Sequence, residues 1–502
     1  MRMIVNSEQM KQLDAFTIHE MGVPSLVLME KASMAVVEEI KQGFDLKKIL
    51  ILCGSGNNGA DGVAVGRILH LQGYQVDLYL AGKEESFTEE SKTQWKIARN
   101  YGVSIVNKID FREYTTIVDA VFGVGLSRKV SGSYHDLIEQ VNQANIPVLA
   151  VDIPSGVNGT TGQIMGVGIK AKKTVTFAYG KIGLYLYPGA AYAGEVVVKD
   201  IGIYGKIDNV LYTLEEADRN WIPKRTSQGN KGTFGKVLVV AGSKNMCGAA
   251  YFSAKASMMM GAGMVRIFTE ESNRVPLQQL FPEAMLTTYR SGDKKENILK
   301  SLEKACDWAN VIAAGPGLGD GEEAGWITES LWTEKTEKPL ILDADGINYL
   351  SRNKQLFGKI KRPCVLTPHM GEMSRLSGYG IDELKEKPVE YIRDISLHFM
   401  EVAENKSYVP TLIMKDARTL IWTGEQQGFL NLNGNSGMAT AGSGDVLVGI
   451  ISGLLAIGMD VCHAAPMGVW LHAKAGDAAR EKKGEASMVA SDIINAIPWV
   501  IR

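Results

Sequence analysis

The sequence predicts two α/β domains, each a mostly parallel sheet with helices on both faces, and three observations predict it. At 502 residues the chain exceeds what a single core ordinarily fills. Its composition, 45% apolar and 22% charged with 54 glycines, belongs to a soluble protein with glycine-rich loops rather than a disordered or fibrous one. Short β-rich runs also alternate with stretches of helical period, first in one half and, after an interruption, in the other.

Each element follows from its own residues. Ser7 can cap a helix running through Met10, Leu13 and Phe16, and a second helix is expected over 25–40. The runs 48–53, 76–80, 116–122, 147–153 and 174–177 read as buried strands, with helical spacing over 60–73 and 131–144. The rhythm then breaks over 204–231, where apolar residues thin out and Pro223 is followed by the polar string 225–232. The boundary falls near 213–220, giving domains of 1–215 and 216–502. Strands resume at 236–242, with others at 311–314, 340–343, 364–367 and 412–414, and an apolar helical run covers 446–455. The two halves share a style but no motif set, so internal duplication is not supported.

Charge gives no reason to expect nucleic acid or a membrane as partner. The formal net charge is −2, from 54 basic and 56 acidic residues, and no basic block stands out. The five cysteines, Cys53, Cys247, Cys306, Cys364 and Cys462, are odd in number and widely spaced, without a C-x-x-C pair. Buried reduced thiols are expected, which suits a cytoplasmic protein. The N-terminus lacks a signal-peptide core, and no run is long enough to span a bilayer. The expected assembly is a homo-oligomer.

After the strand ending at Cys53 comes Gly54-Ser55-Gly56-Asn57-Asn58-Gly59-Ala60-Asp61-Gly62. Its first six residues match G-x-G-x-x-G, a weak signal alone in so glycine-rich a chain. The acid that a dehydrogenase places at the end of its second strand is missing, because that strand runs into Leu80-Ala81-Gly82-Lys83; Asp77 lies too early, inside the strand. The loop offers open amides at a helix N-terminus, suited to phosphate, although Asn and Asp also favour such bends as turn residues. Two later strand ends repeat an acid followed by glycine: Val118-Asp119-Ala120-Val121-Phe122-Gly123-Val124-Gly125-Leu126 and Val151-Asp152-Ile153-Pro154-Ser155-Gly156-Val157. Strand ends of a parallel sheet converge on the ligand crevice, so Asn58, Asp119 and Ser155 form a cluster of hard oxygens suited to an alkali or alkaline-earth ion.

These three segments, with Leu26-Val27-Leu28-Met29-Glu30-Lys31-Ala32, resemble the NAD(P)H-hydrate epimerase family over roughly residues 1–212. The resemblance implies a Rossmann-like fold and exchange of the two C6 epimers of hydrated NADH and NADPH. It places the hydrate against Asn57, Asn58, Gly59, Ala60 and Asp61, against Gly123, Val124, Gly125, Leu126, Ser127, Arg128 and Lys129, and against Asp152. It also assigns a potassium ion to Asn58, Asp119 and Ser155. Ala60 stands where the family usually has glycine, and its methyl is a possible obstacle to the ligand. Asp152 is the choice for proton transfer, with Lys181 as a candidate partner; a lone lysine of this kind is otherwise a surface charge.

A second glycine loop lies near the C-terminus, Ala441-Gly442-Ser443-Gly444-Asp445, ahead of the apolar helix. Open amides there can stabilise charge on a transferring phosphoryl group, and Asp445 in the first turn can take a proton from an attacking hydroxyl. Asp445 can also be a simple complement to the helix dipole. Neighbouring motifs narrow the reading: Lys231-Gly232-Thr233-Phe234-Gly235-Lys236, Ala314-Gly315-Pro316-Gly317-Leu318-Gly319, Leu342-Asp343-Ala344-Asp345-Gly346, Thr367-Pro368-His369-Met370-Gly371-Glu372 and Met414-Lys415-Asp416-Ala417-Arg418-Thr419. Together they resemble the ADP-dependent NAD(P)H-hydrate dehydratase, a ribokinase-like fold, over about 220–502. By that resemblance Ala262, Gly317, His369 and Asp445 meet the hydrate, and Lys415, Asp416, Ala417, Arg418, Thr419 and Gly444 meet the adenine nucleotide. Met370 and Asn230 depart from the family pattern, where Pro and His are usual.

The expected chemistry is metabolite repair. Asp445 activates the C6 hydroxyl toward the β-phosphoryl group of ADP, with Mg2+ neutralising charge, and the products are AMP, phosphate and NAD(P)H. Two rivals stand beside it: a ribokinase-like kinase of a vitamin precursor, and a cofactor sensor that binds without turnover.

Overall fold

Asn6, rather than Ser7, opens the first helix. Its side chain accepts from Gln9 N while the Gln9 side chain accepts from Asn6 N, so two orphan amides are satisfied at once. The computed structural model describes residues 1–423 and 427–501. It divides into a unit of residues 3–210 and a second of residues 211–502 with Met1 and Arg2.

In the first unit the order is β1 (Arg2–Val5), α1 (Ser7–His19), α2 (Ser25–Gly43), β2 (Ile49–Cys53), α3 (Asn57–Leu71), β3 (Val76–Leu80), α4 (Glu89–Asn100) and β4 (Ser104–Ile105). There follow β5 (Thr116–Ala120), α5 (Ser133–Gln143), β6 (Val148–Val151), β7 (Lys173–Phe177), β8 (Gly180–Lys181), α6 (Gly189–Ala193) and β9 (Glu195–Lys199). The main sheet runs β4-β3-β2-β5-β6-β7-β9, parallel throughout. Strands β2, β5 and β6 are buried along their whole length, as near-continuous apolar runs require when helices cover both faces. Because β2 lies between β3 and β5, the chain's direction of winding reverses there and opens a crevice at the strand C-termini. Strands β1, β4, β8 and β9 were not foreseen.

The second unit begins at β10 (Leu211–Thr213), inside the stretch where the sequence loses its rhythm. It continues through β11 (Lys236–Val240), α7 (Cys247–Met259), β12 (Met264–Glu270), α8 (Arg274–Leu280), β13 (Met285–Tyr289), α9 (Lys295–Trp308), β14 (Val311–Ala314), α10 (Glu322–Thr333) and β15 (Leu340–Leu342). Then come α11 (Ala344–Arg352), β16 (Cys364–Leu366), α12 (Met370–Ser377), α13 (Ile381–Glu386), α14 (Pro388–Val402), β17 (Thr411–Met414), β18 (Leu420–Trp422) and β19 (Gly428–Leu430). Helices α15 (Ser443–Ala456), α16 (Val461–Lys483) and α17 (Ala490–Val500) close the chain. The order β13-β12-β11-β14-β15-β16-β17 is parallel, and β18 and β19 extend it antiparallel. Helix α15 is buried on all sides from Val446 to Ala456, and glycines let α7 approach it: a Cβ at Gly453 would lie 2.4 Å from Met260 Cβ. It is the central rod of the core.

All five cysteines are free, but only Cys53, Cys306 and Cys364 are buried. Cys247 is partly exposed at a helix start and Cys462 is exposed, so burial of every thiol is corrected. Among the described residues no helix is long and apolar enough to cross a membrane.

Candidate active sites

Both candidate sites stand at the C-terminal ends of parallel strands. In the first unit α3 starts so close to the end of β2 that a Cβ at Gly59 would lie 1.9 Å from Gly54 O; only hydrogen fits. Ala60 is fully buried and does not border the pocket. Helix α4 braces the loop, a role the sequence did not reveal. Ser91 Oγ donates to Ser55 O at 3.0 Å and Gly56 O at 2.9 Å, and Thr88 Oγ1 donates to Asn57 Oδ1 at 2.8 Å.

Asn57, Asp61, Val124, Asp152 and Lys181 meet in one pocket walled by Met10, Met29, Phe177 and Ile201. Asp152 ends β6 with φ +67°, an unusual value for a non-glycine residue, which turns its carboxylate toward Lys181. Lys181 Nζ donates to Asp152 Oδ1 at 2.6 Å, to Thr176 Oγ1 at 2.9 Å and to Phe177 O at 2.8 Å, which occupies all three ammonium protons. Far from being a surface charge, its side chain is 1% exposed. Asp14 from α1, which the sequence reading did not single out, lies in the same pocket. Its one signal was its place a turn after Met10, on the helix face that buries Met10. Burial, and then the charges of Asp152 and Asp14, pushes the Asp61 carboxyl well above the usual range; burial and Asp152 raise Asp14 as well.

The proposed ion ligands also gather. Asp119, fully buried in β5, accepts from Ser155 N at 2.7 Å, Ser155 Oγ at 2.6 Å and Val121 N at 3.2 Å. Burial pushes it up to about 6, since no cationic side chain offsets the charge. Ser155 Oγ accepts from Phe122 N at 2.8 Å, and a Cβ at Gly123 would lie 3.2 Å from Asn58 Oδ1, so Asn58 reaches the same strand end. Asn58 Nδ2 is buried without a hydrogen-bond partner among the described residues. Of residues 123–129, Val124 borders the pocket, Leu126 is half-buried, and Gly125, Ser127, Arg128 and Lys129 are exposed beyond it.

In the second unit Asp445 lies in the first turn of α15, behind Gly442 at φ +88°. No described residue donates a hydrogen bond to its carboxyl. Burial first, and then the charges of Asp343 and Asp345 against that of Lys415, pushes it up to about 7, where a general base works at neutral pH. Lys415 Nζ donates to Asp343 Oδ1 at 2.7 Å, and so does Thr367 Oγ1. A Cβ on Gly444 would lie 3.4 Å from Lys415 Nζ, so loop amides, lysine and acids converge. Lys415 N donates to Pro368 O at 2.8 Å, which sets His369 beside it. His369 caps α12, its Nδ1 accepting from Gly371 N at 3.0 Å and Glu372 N at 3.3 Å. Burial and the Lys415 charge hold it below its usual value, so it stays neutral. Asp416 and Ala417 are exposed on the outgoing turn, Arg418 Nη1 donates to Leu432 O at 2.9 Å, and Thr419 leads into β18. Gly317 follows β14, and Gly319 N donates to Asp345 Oδ2 at 2.8 Å.

Ala262 is the exception. It follows α7 at the entry to β12, and Gly261 beside it lies against Ile457, past the C-terminus of α15. Twelve residues of helix, roughly 18 Å, separate that end from Asp445. The structure therefore does not bring Ala262 to the site. The alanine that does reach it is Ala249, in the first turn of α7: a Cβ at Gly317 would lie 3.0 Å from Ala249 Cβ. His472, fully buried and driven down to about 4 chiefly by burial, steadies the glycine loop through Ser443 Oγ at 3.3 Å.

Both halves of the chain match known proteins. A family model described as NAD(P)H-hydrate dehydratase matches residues 237–499, and one described as YjeF-related protein N-terminus matches residues 25–183. The bifunctional NAD(P)H-hydrate repair enzyme of Moorella thermoacetica is 35% identical, covering 99% of this chain and 96% of its own. The NAD(P)H-hydrate epimerase of Weissella koreensis is 51% identical over 202 residues, 40% of this chain and 91% of its own. Among solved structures, a ribokinase-like superfamily protein of Enterococcus faecalis matches at TM-score 0.50 and 28% identity, covering 58% of this chain and 95% of that one.

Proposed function

The chain belongs to the family of bifunctional NAD(P)H-hydrate repair enzymes, and on that premise we propose that its first unit exchanges the R and S forms of hydrated NADH and NADPH while its second dehydrates the S form at the expense of ADP. The observation that carries the second activity is Asp445: a recessed acid to which no described residue donates a hydrogen bond, beside the Lys415–Asp343 pair and the amides opening α15.

Asp445 takes the proton of the C6 hydroxyl, whose oxygen attacks the β-phosphorus of ADP as AMP leaves. The phosphoester then departs as phosphate with the electron pair of its C6–O bond, C5 gives up a proton to solvent, and the double bond of NAD(P)H forms. Loop amides around Gly444 and the ammonium of Lys415 hold the phosphates, His369 and Gly317 position the ring, and residues 415–419 take the nucleotide. Asp343 Oδ2 and Asp345 fit Mg2+ as hard-oxygen donors, and the ion, when bound, would neutralise phosphate charge. In the first unit Asp152, oriented by Lys181, moves the proton. Residues 57–61 and 123–129 form the hydrate site, with the exposed Arg128 and Lys129 suited to its phosphates. Asn58, Asp119 and Ser155 fit K+, because the buried Asp119 carboxylate has no other cation; the ion would brace the two loops.

The test is incubation with racemic hydrate and either ADP or ATP, following both epimers chromatographically. Both epimers should vanish as reduced-nicotinamide absorbance returns, with one nucleotide consumed per hydrate. A phosphorylated product that persists without that absorbance would instead mark a kinase.

A further inference from the structure

The pocket of the first unit holds more acid than the chemistry above uses. Asp14 of α1 and Asp61 of α3 border it together with Asp152 and Lys181. Asp152 has Lys181 and Thr176 as donors, whereas no described residue donates a hydrogen bond to the carboxyl of Asp14 or Asp61. Lys181 cannot serve them, since its protons are engaged elsewhere. Packing does not explain Asp14 either: α1 is capped by Asn6 and Gln9 and anchored through Met10, Leu13 and Thr17. Two carboxyls that border one apolar-walled pocket without a hydrogen-bond donor among the described residues are each pushed toward the protonated form.

Resting on the epimerase reading, we propose that Asp14 and Asp61 together are the acid of the epimerisation, opposite Asp152 as base. Exchange at one carbon needs a group to release the hydroxyl and another to accept its return. The Asp14–Asp61 pair protonates the C6 hydroxyl; the C6–O bond breaks with its electron pair on oxygen, water leaves, and the N1 lone pair forms C6=N1. Water then adds to the other face, its oxygen forming the new C6–O bond while that pair returns to N1, and its surplus proton passes to Asp152. Nothing is oxidised or reduced. The acid pair has lost one proton and Asp152 has gained one, which solvent re-equilibrates. Asp14 is faced by Asp61 from α3, Asp152 from the end of β6, Lys181 from β8 and Glu90 from α4, with Lys11 and His19 on its own helix.

The test is R-to-S exchange by the full chain, measured from pH 5 to 9 against hydrate concentration. Asp14→Asn should lower kcat about 100-fold with KM within about threefold, and Asp14→Glu should recover most of the rate. Because Asp14 helps Asp61 keep its proton, the fall in rate at high pH should begin at lower pH in Asp14→Asn. A kcat within about threefold of wild type, an unchanged pH profile, or a joint loss of kcat and KM without rescue by glutamate would each overturn the assignment. If instead the wild-type chain binds R hydrate without exchanging it, the epimerase reading itself fails.

Discussion

The two sites solve one problem with the same three parts arranged differently. Each sets an acid to which no described residue donates a hydrogen bond beside a lysine–aspartate pair: Asp61, with Asp14, beside Lys181–Asp152 in the first unit, and Asp445 beside Lys415–Asp343 in the second. The difference lies in the lysine. Lys181 is sealed at 1% side-chain exposure with all its protons committed, so it can only orient Asp152. Lys415 is 21% exposed and has one side-chain partner among the described residues, which would leave its remaining protons for an incoming phosphate. On the proposed function, the closed lysine fixes a base and the half-open one binds an anion.

The largest effect expected from this contrast is on the second unit. Asp445→Asn should cost about 10²–10⁴ in dehydration rate, the usual worth of a general base, while R-to-S exchange continues. Full dehydration by that variant would break the comparison at its centre. The lysines should separate next. Lys181→Met leaves Asp152 buried without its counter-charge and should destabilise the first unit by about 3–5 kcal/mol, seen as an earlier melting step. Lys415→Met, at a half-open position, should mainly raise KM for ADP. Equal melting of the two variants would erase the distinction.

A pH profile sharpens the same point. As the proposed base Asp445 must be ionised, so dehydration should fall as pH drops through about 7. Asp343 raises Asp445, and Lys415 lowers it. Asp343→Asn removes the raising charge and frees the lysine, and both changes favour ionisation. Whatever happens to its plateau, the variant's acid limb should therefore lie at lower pH than that of wild type. A limb that stays in place would mean that burial alone sets the acid.

How much of this was legible in the sequence follows from which interactions are local. The strand-to-glycine junctions at Cys53, Asp119, Asp152 and Ala314 were readable, because an acid or a glycine at the end of an apolar run announces a crevice. So was Asp445, fixed by its place one turn into an apolar helix. What escaped depended on distant partners. Ser91 and Thr88 hold the first loop from 31 to 36 residues away, and Asp14 reaches the pocket from a helix outside the strand–helix rhythm. Ala262 misled because it lies at the wrong end of α7: motif order placed it, but only the parallel packing of α7 on α15 shows which end faces the acid. The cap at Asn6 differed from Ser7 by a single residue, where two polar side chains compete and the reciprocal bond with Gln9 decides.

The smallest expected effect lies in the glycine loops themselves. In the first unit the tight position is closed by backbone: a methyl at Gly59 would meet Gly54 O at 1.9 Å. In the second, a methyl at Gly444 meets Lys415 Nζ at 3.4 Å and Asp343 Oδ2 at 3.7 Å, the ends of side chains that can move. Gly444→Ala should therefore fold, with stability within about 1 kcal/mol of wild type, since alanine also favours the helix. Its methyl would nevertheless stand where Lys415 and the loop amides approach the phosphates, so KM for ADP should rise several-fold with R-to-S exchange unaltered. Titrating ADP against dehydration, beside a thermal melt, checks both halves. An unchanged KM would mean that the nucleotide approaches Lys415 from a side the loop does not face, and the likeness between the two sites would then stop at their acids.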